Sequence, residues 1–293
     1  MLHGPQRNIC VLYTVNNGAA FCTFLDATKA FDRVDFCKLF RELLKRKIPT
    51  IHLRLLLNMY TNSTACINWN GAFSQSLGIR NGVKQGGILS PVLFCIYIDG
   101  LLVRLKQSKI GCWIGNTFVG ALAYADDITP LAPTPSAMRY MLRICEEYGR
   151  EFCVSFNAAK SASMYCGKKL ACCPDGLTFY IDGKEIAVVK KYLHLGHIIS
   201  AQLDDKDNIL AKRNSFCGKI NNVLCYFRSC DPLVKVKLLR HYCCDYYGSV
   251  IWNLLMPQQK CSQSSIQFST VLVSRVGHQC RYKKELGLKY LPV

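Results

Sequence analysis

The chain has 293 residues, half of them apolar and 11% aromatic, a composition that suits a packed core and excludes an intrinsically disordered chain. Its length allows one large domain or two smaller ones. Lys and Arg outnumber Asp and Glu by 37 to 19, with 17 against 9 in residues 1–150 and 20 against 10 in 151–293, so the surplus predicts a long basic channel for a polyanion such as nucleic acid, not a charged tail.

In chain order, AFCTFLD (20–26) is a short aromatic-rich apolar run closed by an acid and reads as a buried strand. VDFCKLFRELLKRK (34–47) has apolar residues at helical spacing, Asp35 near its start and basic residues at its end, which predicts a helix. Pro49 stops it, and TIHLRLLLNMY (50–60) predicts a second helix. Asn70-Gly71, between the alternating runs of 64–79, signals a hairpin. Ser90-Pro91 predicts a helix start for VLFCIYIDGLLVRLKQ, with Ser90 as N-cap and Pro91 in the first turn. Two strand-like runs, CWIGNTFVGALAY and ITPLA, flank Ala125, Asp126 and Asp127 and place them at or beside a hairpin turn. A helix over 136–152 follows, then the strands SASMYC, LTFYIDGKEIAVV (broken at Asp182-Gly183) and KYLHLGHII. From about residue 200, basic amphipathic helices over 208–227 and 232–252 mark a subdomain boundary, and 257–293 is Ser/Gln-rich and then basic.

The first twenty residues lack a charged start followed by an apolar core, and no apolar run approaches the roughly 18 residues of a membrane span. The expectation is an intracellular protein, nuclear or cytoplasmic, whose 18 cysteines are reduced thiols used as small core residues. Zinc is the weaker idea: Cys172-Cys173 and Cys243-Cys244 are adjacent pairs, and Cys217, Cys225 and Cys230 form no CxxC knuckle.

The costly feature is LAYADDI (122–128), where two carboxylates stand side by side in an apolar run. Asp26 likewise sits where an apolar strand ends. If the two strands are neighbours in one sheet, three carboxylates converge at its edge. Such a cluster is stable around a hard cation, and two Mg²⁺ about 3.5–4 Å apart are a standard means of phosphoryl transfer. Taken singly, Asp26 also reads as a helix cap and Asp126-Asp127 as a solvated turn.

The ordered boxes FLDATKAFDRV, NGVKQGGILSPVLFCIYIDGLL, LAYADDI, FNAAKS and KYLHLGHII resemble the palm motifs of reverse transcriptases over roughly residues 20–256, above all those of the non-LTR (LINE-like) retrotransposon class. Group II intron enzymes share the YADD box, but their first motif differs from KAFD, which disfavours a maturase. The resemblance implies an α+β fold: a polymerase palm (20–200) with an antiparallel sheet backed by helices, then a helical thumb-like region (201–256). Residues 1–19 would be a truncated remnant of fingers and 257–293 a basic tail.

The resemblance also implies an RNA-directed DNA polymerase working on an RNA template, a DNA primer and dNTPs, with two Mg²⁺ (or Mn²⁺). Asp26, Asp126 and Asp127 would be the metal-binding catalytic acids, and Lys160 would act on the departing pyrophosphate. Ala27, Phe31 (as a steric gate against ribose), Gln85, Gly86, Tyr124 and Ala125 would hold the incoming nucleotide and primer end. Leu195 and Gly196 would form the primer grip, with His194 and His197 structural or phosphate-contacting. Only about 20 residues precede the first palm strand, Arg7 the one Lys or Arg among them, so a triphosphate clamp from upstream fingers is not visible. A catalytically inactive retroelement fragment that only binds nucleic acid is therefore the alternative.

Overall fold

The run AFCTFLD forms strand β1 (Ala19–Asp26) at the heart of a six-stranded sheet. Both faces of β1 are covered, which is why its sequence is continuously apolar instead of alternating. The computed structural model describes residues 5–15, 18–167 and 177–243, and the chain divides into two units between Lys191 and Tyr192. Residues expected as a remnant of fingers contribute helix α1 (Pro5–Val15), which packs on β1 and buries Ile9 and Cys10.

After β1 a single 3-10 turn (Phe31–Arg33) leads into helix α2 (Phe36–Lys45). Asp35 caps α2, its Oδ1 accepting the Lys38 N–H at 3.0 Å, and the helix buries Phe36, Leu39 and Leu43 on one face. Helix α3 (Thr50–Thr61) buries only Leu53. A narrow two-tier ribbon follows: β2 (Thr64–Ala65), β3 (Asn68–Trp69), β4 (Ala72–Phe73) and β5 (Leu77–Gly78), with β3 paired to β4 and β2 to β5. Asn70 and Gly71 turn it with φ of 48° and 84°, the double left-handed turn that Asn-Gly supplies.

Helix α4 (Ser90–Gln107) corrects one expectation: its N-cap is Leu89, and Ser90 is already helical. The Ser90 hydroxyl donates to the Lys84 carbonyl, fastening the preceding loop instead of capping the helix. A short hairpin, β6 (Trp113–Ile114) and β7 (Thr117–Phe118), precedes β8 (Ala121–Tyr124) and β9 (Asp127–Ala132). Helix α5 (Pro135–Phe152) starts at Thr134, whose Oγ1 accepts the Ala137 N–H, and ends at Cys153 in the left-handed region. Strands β10 (Ala162–Gly167), β11 (Phe179–Ile181) and β12 (Lys184–Val188) complete the sheet.

The order is β11-β12-β10-β1-β9-β8, antiparallel throughout except for the parallel pair β10–β12. Helices α4 and α5 back one face, where Phe21, Leu25 and Ile128 of the sheet meet Phe94, Tyr97 and Tyr148. Each such buried Leu, Ile or Phe contributes about 1.5–3 kcal/mol. The tyrosines fix the helices as well as fill space. Tyr148 donates to the Tyr97 carbonyl at 2.6 Å, Tyr97 donates to the Phe152 carbonyl, and the Asp35 N–H donates to Tyr97 Oη. Six described cysteines (Cys10, Cys22, Cys112, Cys145, Cys166, Cys243) are buried thiols, while Cys172, Cys173 and Cys244 lie outside the described residues.

The second unit pairs β13 (Lys191–His194) with β14 (His197–Ser200) and continues into helix α6 (Lys206–Tyr226), helix α7 (Pro232–Leu238) and a π-helical turn (Leu239–Cys243). The reading of the sequence put the boundary near residue 200, yet the division falls before this hairpin. Buried Asn208 of α6 bonds His197 at 2.9 Å and accepts the Ile198 N–H, which ties β14 to the helix. The expected helix beyond 243 and the tail 257–293 lie outside the described residues.

Candidate active site

The spatial question posed by the acids is answered by strand register. β1 and β9 are adjacent and antiparallel, and Asp26 stands directly opposite Asp127. Opposed residues of an antiparallel pair present their side chains on the same face, with Cα atoms about 4.5–5.5 Å apart. Asp126 precedes Asp127 in the two-residue turn between β8 and β9, and Tyr124, exposed, pairs with Asp127 from the other strand. Ala125, the other turn residue, has a φ of 52°, a left-handed conformation unusual for a residue with a Cβ. The Asp127 carboxyl is pushed above the usual aspartate range by its burial first, then by the negative charges of Asp126 and Asp26.

Two loops hold this edge in place. The FNAAKS segment wraps the end of β1: the Asn157 N–H donates to the Asp26 carbonyl at 2.9 Å, and the Asp26 N–H donates to Ser161 Oγ at 3.1 Å. An isolated bridge joins Ala27 to Phe156, and the Thr28 N–H donates to the Ser155 carbonyl at 2.8 Å. Lys160 lies exposed on this loop. The second loop, residues 82–90, lies along the turn after β1. The Gly82 N–H donates to the Val34 carbonyl at 2.8 Å and the Val83 N–H to the Phe31 carbonyl at 2.7 Å. Gly82, at φ 90°, sits so close that a Cβ would come within 2.9 Å of the Asp32 carbonyl oxygen. Gln85 Nε2 then donates to Asp32 Oδ1 at 2.9 Å.

Between the loops and the acid edge lies a cleft of about 570 Å³ whose lining includes Ala27, Phe31, Gln85, Gly86, Ser90 and Asp126. The Phe31 ring is set by contact with Phe94, centroids 5.1 Å apart. Gly86, at φ 78°, lets the backbone turn at the cleft wall without a side chain. The structure thus gathers Asp26, Asp126, Asp127, Ala27, Phe31, Gln85, Gly86, Tyr124 and Ala125 at one end of the sheet, with Lys160 on the loop that grips Asp26. Leu195 and Gly196, at φ of 49° and 75°, are the two-residue turn between β13 and β14 and belong to the second unit. Sequence reading missed Asp32 and Ser161, both inside the quoted boxes but with no periodic or charge signature of their own.

Among the described residues no three His, Cys, Asp or Glu side chains are already drawn together as a metal-ligand cluster. The donor chemistry still fits a hard divalent cation: three carboxylates on one sheet end, Asp127 held above its ordinary range by burial first and then by the charges of the other two. Among the described residues no helix is long and apolar enough to cross a membrane.

A family model described as reverse transcriptase (RNA-dependent DNA polymerase) matches residues 4–199. Similar curated proteins include the retrovirus-related Pol polyprotein from the type-2 retrotransposable element R2DM of Drosophila melanogaster (29% identity, 57% of this chain, 16% of that protein). The Pol polyprotein of the type-1 retrotransposable element R2 of Popillia japonica is 34% identical over 48% of this chain and 20% of its own length. The RNA-directed DNA polymerase from the mobile element jockey of Drosophila funebris is 26% identical over 68% of this chain. The chain spans 22% of that jockey protein and no more of the two R2 proteins. In fold, the chain is similar to telomerase from Candida tropicalis solved with a TWJ fragment of telomeric RNA, with a TM-score of 0.51 at 12% identity over 92% of this chain and 41% of that one.

Proposed function

The chain belongs to the reverse transcriptase (RNA-dependent DNA polymerase) family, and from that premise we propose that it carries the palm of an RNA-directed DNA polymerase of a non-LTR retrotransposon, transferring a nucleotide from a dNTP to a primer 3′-hydroxyl on an RNA template. The observation that carries the reading is the register Asp26 opposite Asp127, which brings acids a hundred residues apart to one sheet edge, where the neighbouring Asp126 lines the cleft.

Each part of the cleft has a task in this reaction. Asp26, Asp126 and Asp127 would hold two Mg²⁺, and the Ala27 carbonyl would add an oxygen. When bound, the metals lower the pKa of the attacking hydroxyl and offset the charge of the triphosphate. The Phe31 ring, fixed on Phe94, occupies the space beside the sugar that a 2′-hydroxyl would need. Gln85, tethered to Asp32, and Gly86 present backbone and amide to the incoming base pair. Ala125 leaves room for the primer end beside Tyr124. Lys160 stands on the Asp26-gripping loop as a cation for the departing pyrophosphate. In the second unit, taken by itself, the Leu195-Gly196 turn at the tip of β13–β14 would be the primer grip.

Primer extension by the full chain on an RNA template with dNTPs and Mg²⁺ tests the assignment. Wild-type protein gives extended product and Asp126→Ala gives none. Equal product from the variant would discredit the chemistry, and salt-sensitive binding of template–primer without extension by either protein would reduce the chain to a nucleic-acid-binding module.

A further inference from the structure

The β2–β5 ribbon takes no part in the reaction above, and its composition is unlike that of an idle surface. Every residue from Thr64 to Arg80 is exposed, including Trp69 at 78% and Phe73 at 71%. These rings do not shelter each other: Phe73 pairs with Asn68 and Trp69 with Ala72, so they stand on opposite faces of the ribbon. They contribute nothing to a core, and a hairpin this small gains little by itself.

The charge around the ribbon is as one-sided as its rings are bare. From Leu43 to Ile98 the chain contains no Asp or Glu. Arg54, Arg80 and Lys84 in that stretch are exposed, and among the described residues none enters an ion pair. At the ribbon's base opens a cleft of about 480 Å³ lined by Tyr60, Ile79, Lys84 and Gln85 among others, and Gln85 also lines the cleft beside the acids. The two clefts therefore meet at Gln85, which lines both.

We infer that the β2–β5 ribbon is a stacking platform for the unpaired nucleic-acid strand running out of the cleft, an inference that rests on the polymerase reading for the identity of that strand as template. Exposed aromatic faces on a stretch of chain that carries cations and no acids are complementary to a flexible polyanion with π-faces, and they need no particular base sequence; Asp32, the one carboxylate lining the cleft at the ribbon's base, accepts from Gln85 Nε2 at 2.9 Å. A protein partner would also cover the rings, but it would give no reason for the absence of acids over this stretch.

The test is equilibrium binding, by fluorescence anisotropy, of the full chain to an RNA–DNA hybrid with blunt ends and to the same hybrid with a single-stranded 5′ RNA extension, without dNTPs. The extension tightens binding to wild-type protein. The double variant Trp69→Ala/Phe73→Ala loses about tenfold or more of that gain while binding the blunt hybrid as before. Arg80→Gln keeps the rings and lowers the slope of log affinity on log salt by about one contact. An unchanged gain in the double variant overturns the inference, as does a self-association that the double variant abolishes while the gain persists. Both positions are exposed, so an unaltered thermal melt of the variant excludes misfolding as the cause. The measurement requires no catalysis: failure of primer extension would sink the polymerase reading and leave this result to stand or fall alone.

Discussion

Asp127→Asn should stabilise the protein at neutral pH in the absence of divalent metal, although it removes a residue assigned to the chemistry. Asp127 stands opposite Asp26 in the β1–β9 register and next to Asp126 in sequence, and its carboxyl is raised by burial and by those two charges. Carboxylates about 6 Å apart repel by roughly 1.5–3 kcal/mol at an effective dielectric of about 20–40. The site is half exposed, and discounting for solvent screening leaves about 1–2 kcal/mol. For a unit of this size that is about 2–8 °C in melting temperature.

The pH dependence follows from the direction of the shift. The folded protein holds the Asp127 proton more tightly than the unfolded chain does, so its stability falls as pH rises through the raised pKa. The penalty is complete above that value and absent below the ordinary aspartate range near pH 4. The variant's advantage should therefore be full at neutral pH and fade as pH falls through this window. Added MgCl₂ should raise the melting temperature of the wild type more than that of the variant, because the cation offsets the charges the substitution removes. Melts of both proteins across pH, with and without Mg²⁺, supply the check. A variant no more stable than wild type at neutral pH, or an advantage that persists undiminished to pH 4, would refute the electrostatic argument.

Phe31→Val should open the cleft beside the sugar and raise the use of ribonucleotides relative to deoxynucleotides, read as the ratio of extension with rNTPs to that with dNTPs; an unchanged ratio would return Phe31 to a packing role on Phe94. Asn208→Ala should cost about 1–3 kcal/mol in the second unit, since it removes one hydrogen-bond partner of buried His197 and the acceptor of the Ile198 N–H, and hydrogen exchange of Ile198 should accelerate. Thr129→Val should be neutral or stabilising by about 1 kcal/mol, because the Thr129 hydroxyl is buried on β9 with no hydrogen-bond partner among the described residues, and a lower melting temperature would show that it finds one.

What could be read from the sequence follows the range over which each signal acts. Asn70-Gly71 specified its hairpin and Asp35 its helix cap because turn and cap chemistry is complete within four residues. β1 was legible because a strand buried on both faces is apolar at nearly every position, and its one buried polar side chain, Thr23, is satisfied by Ser163 Oγ at 2.8 Å. Ser90 misled for the complementary reason. Ser before Pro has the form of a cap, and only the fold shows its hydroxyl spent on the Lys84 carbonyl. The Asp32–Gln85 and Asp26–Ser161 bonds join residues 53 and 135 positions apart, and no local pattern announces them. The link between the β13–β14 hairpin and α6 through buried Asn208 and His197 likewise joins residues 11 positions apart, with no local pattern to announce it.

The acid cluster combines both cases. Its members were visible as anomalies, charges at the ends of apolar strands, but their meeting depends on a register that neither strand encodes alone. A shift of one residue in the β1–β9 pairing would send Asp127 to the opposite face of the sheet from Asp26. What guards that register is local to each side. The two-residue turn with Ala125 in the left-handed region fixes β9 against β8, and the Asn157 and Ser161 bonds fix the end of β1. The strained alanine and the loop bonds thus hold Asp26 and Asp126 where burial and their charges raise the Asp127 carboxyl, and under the two-metal reading a bound cation would offset that cost.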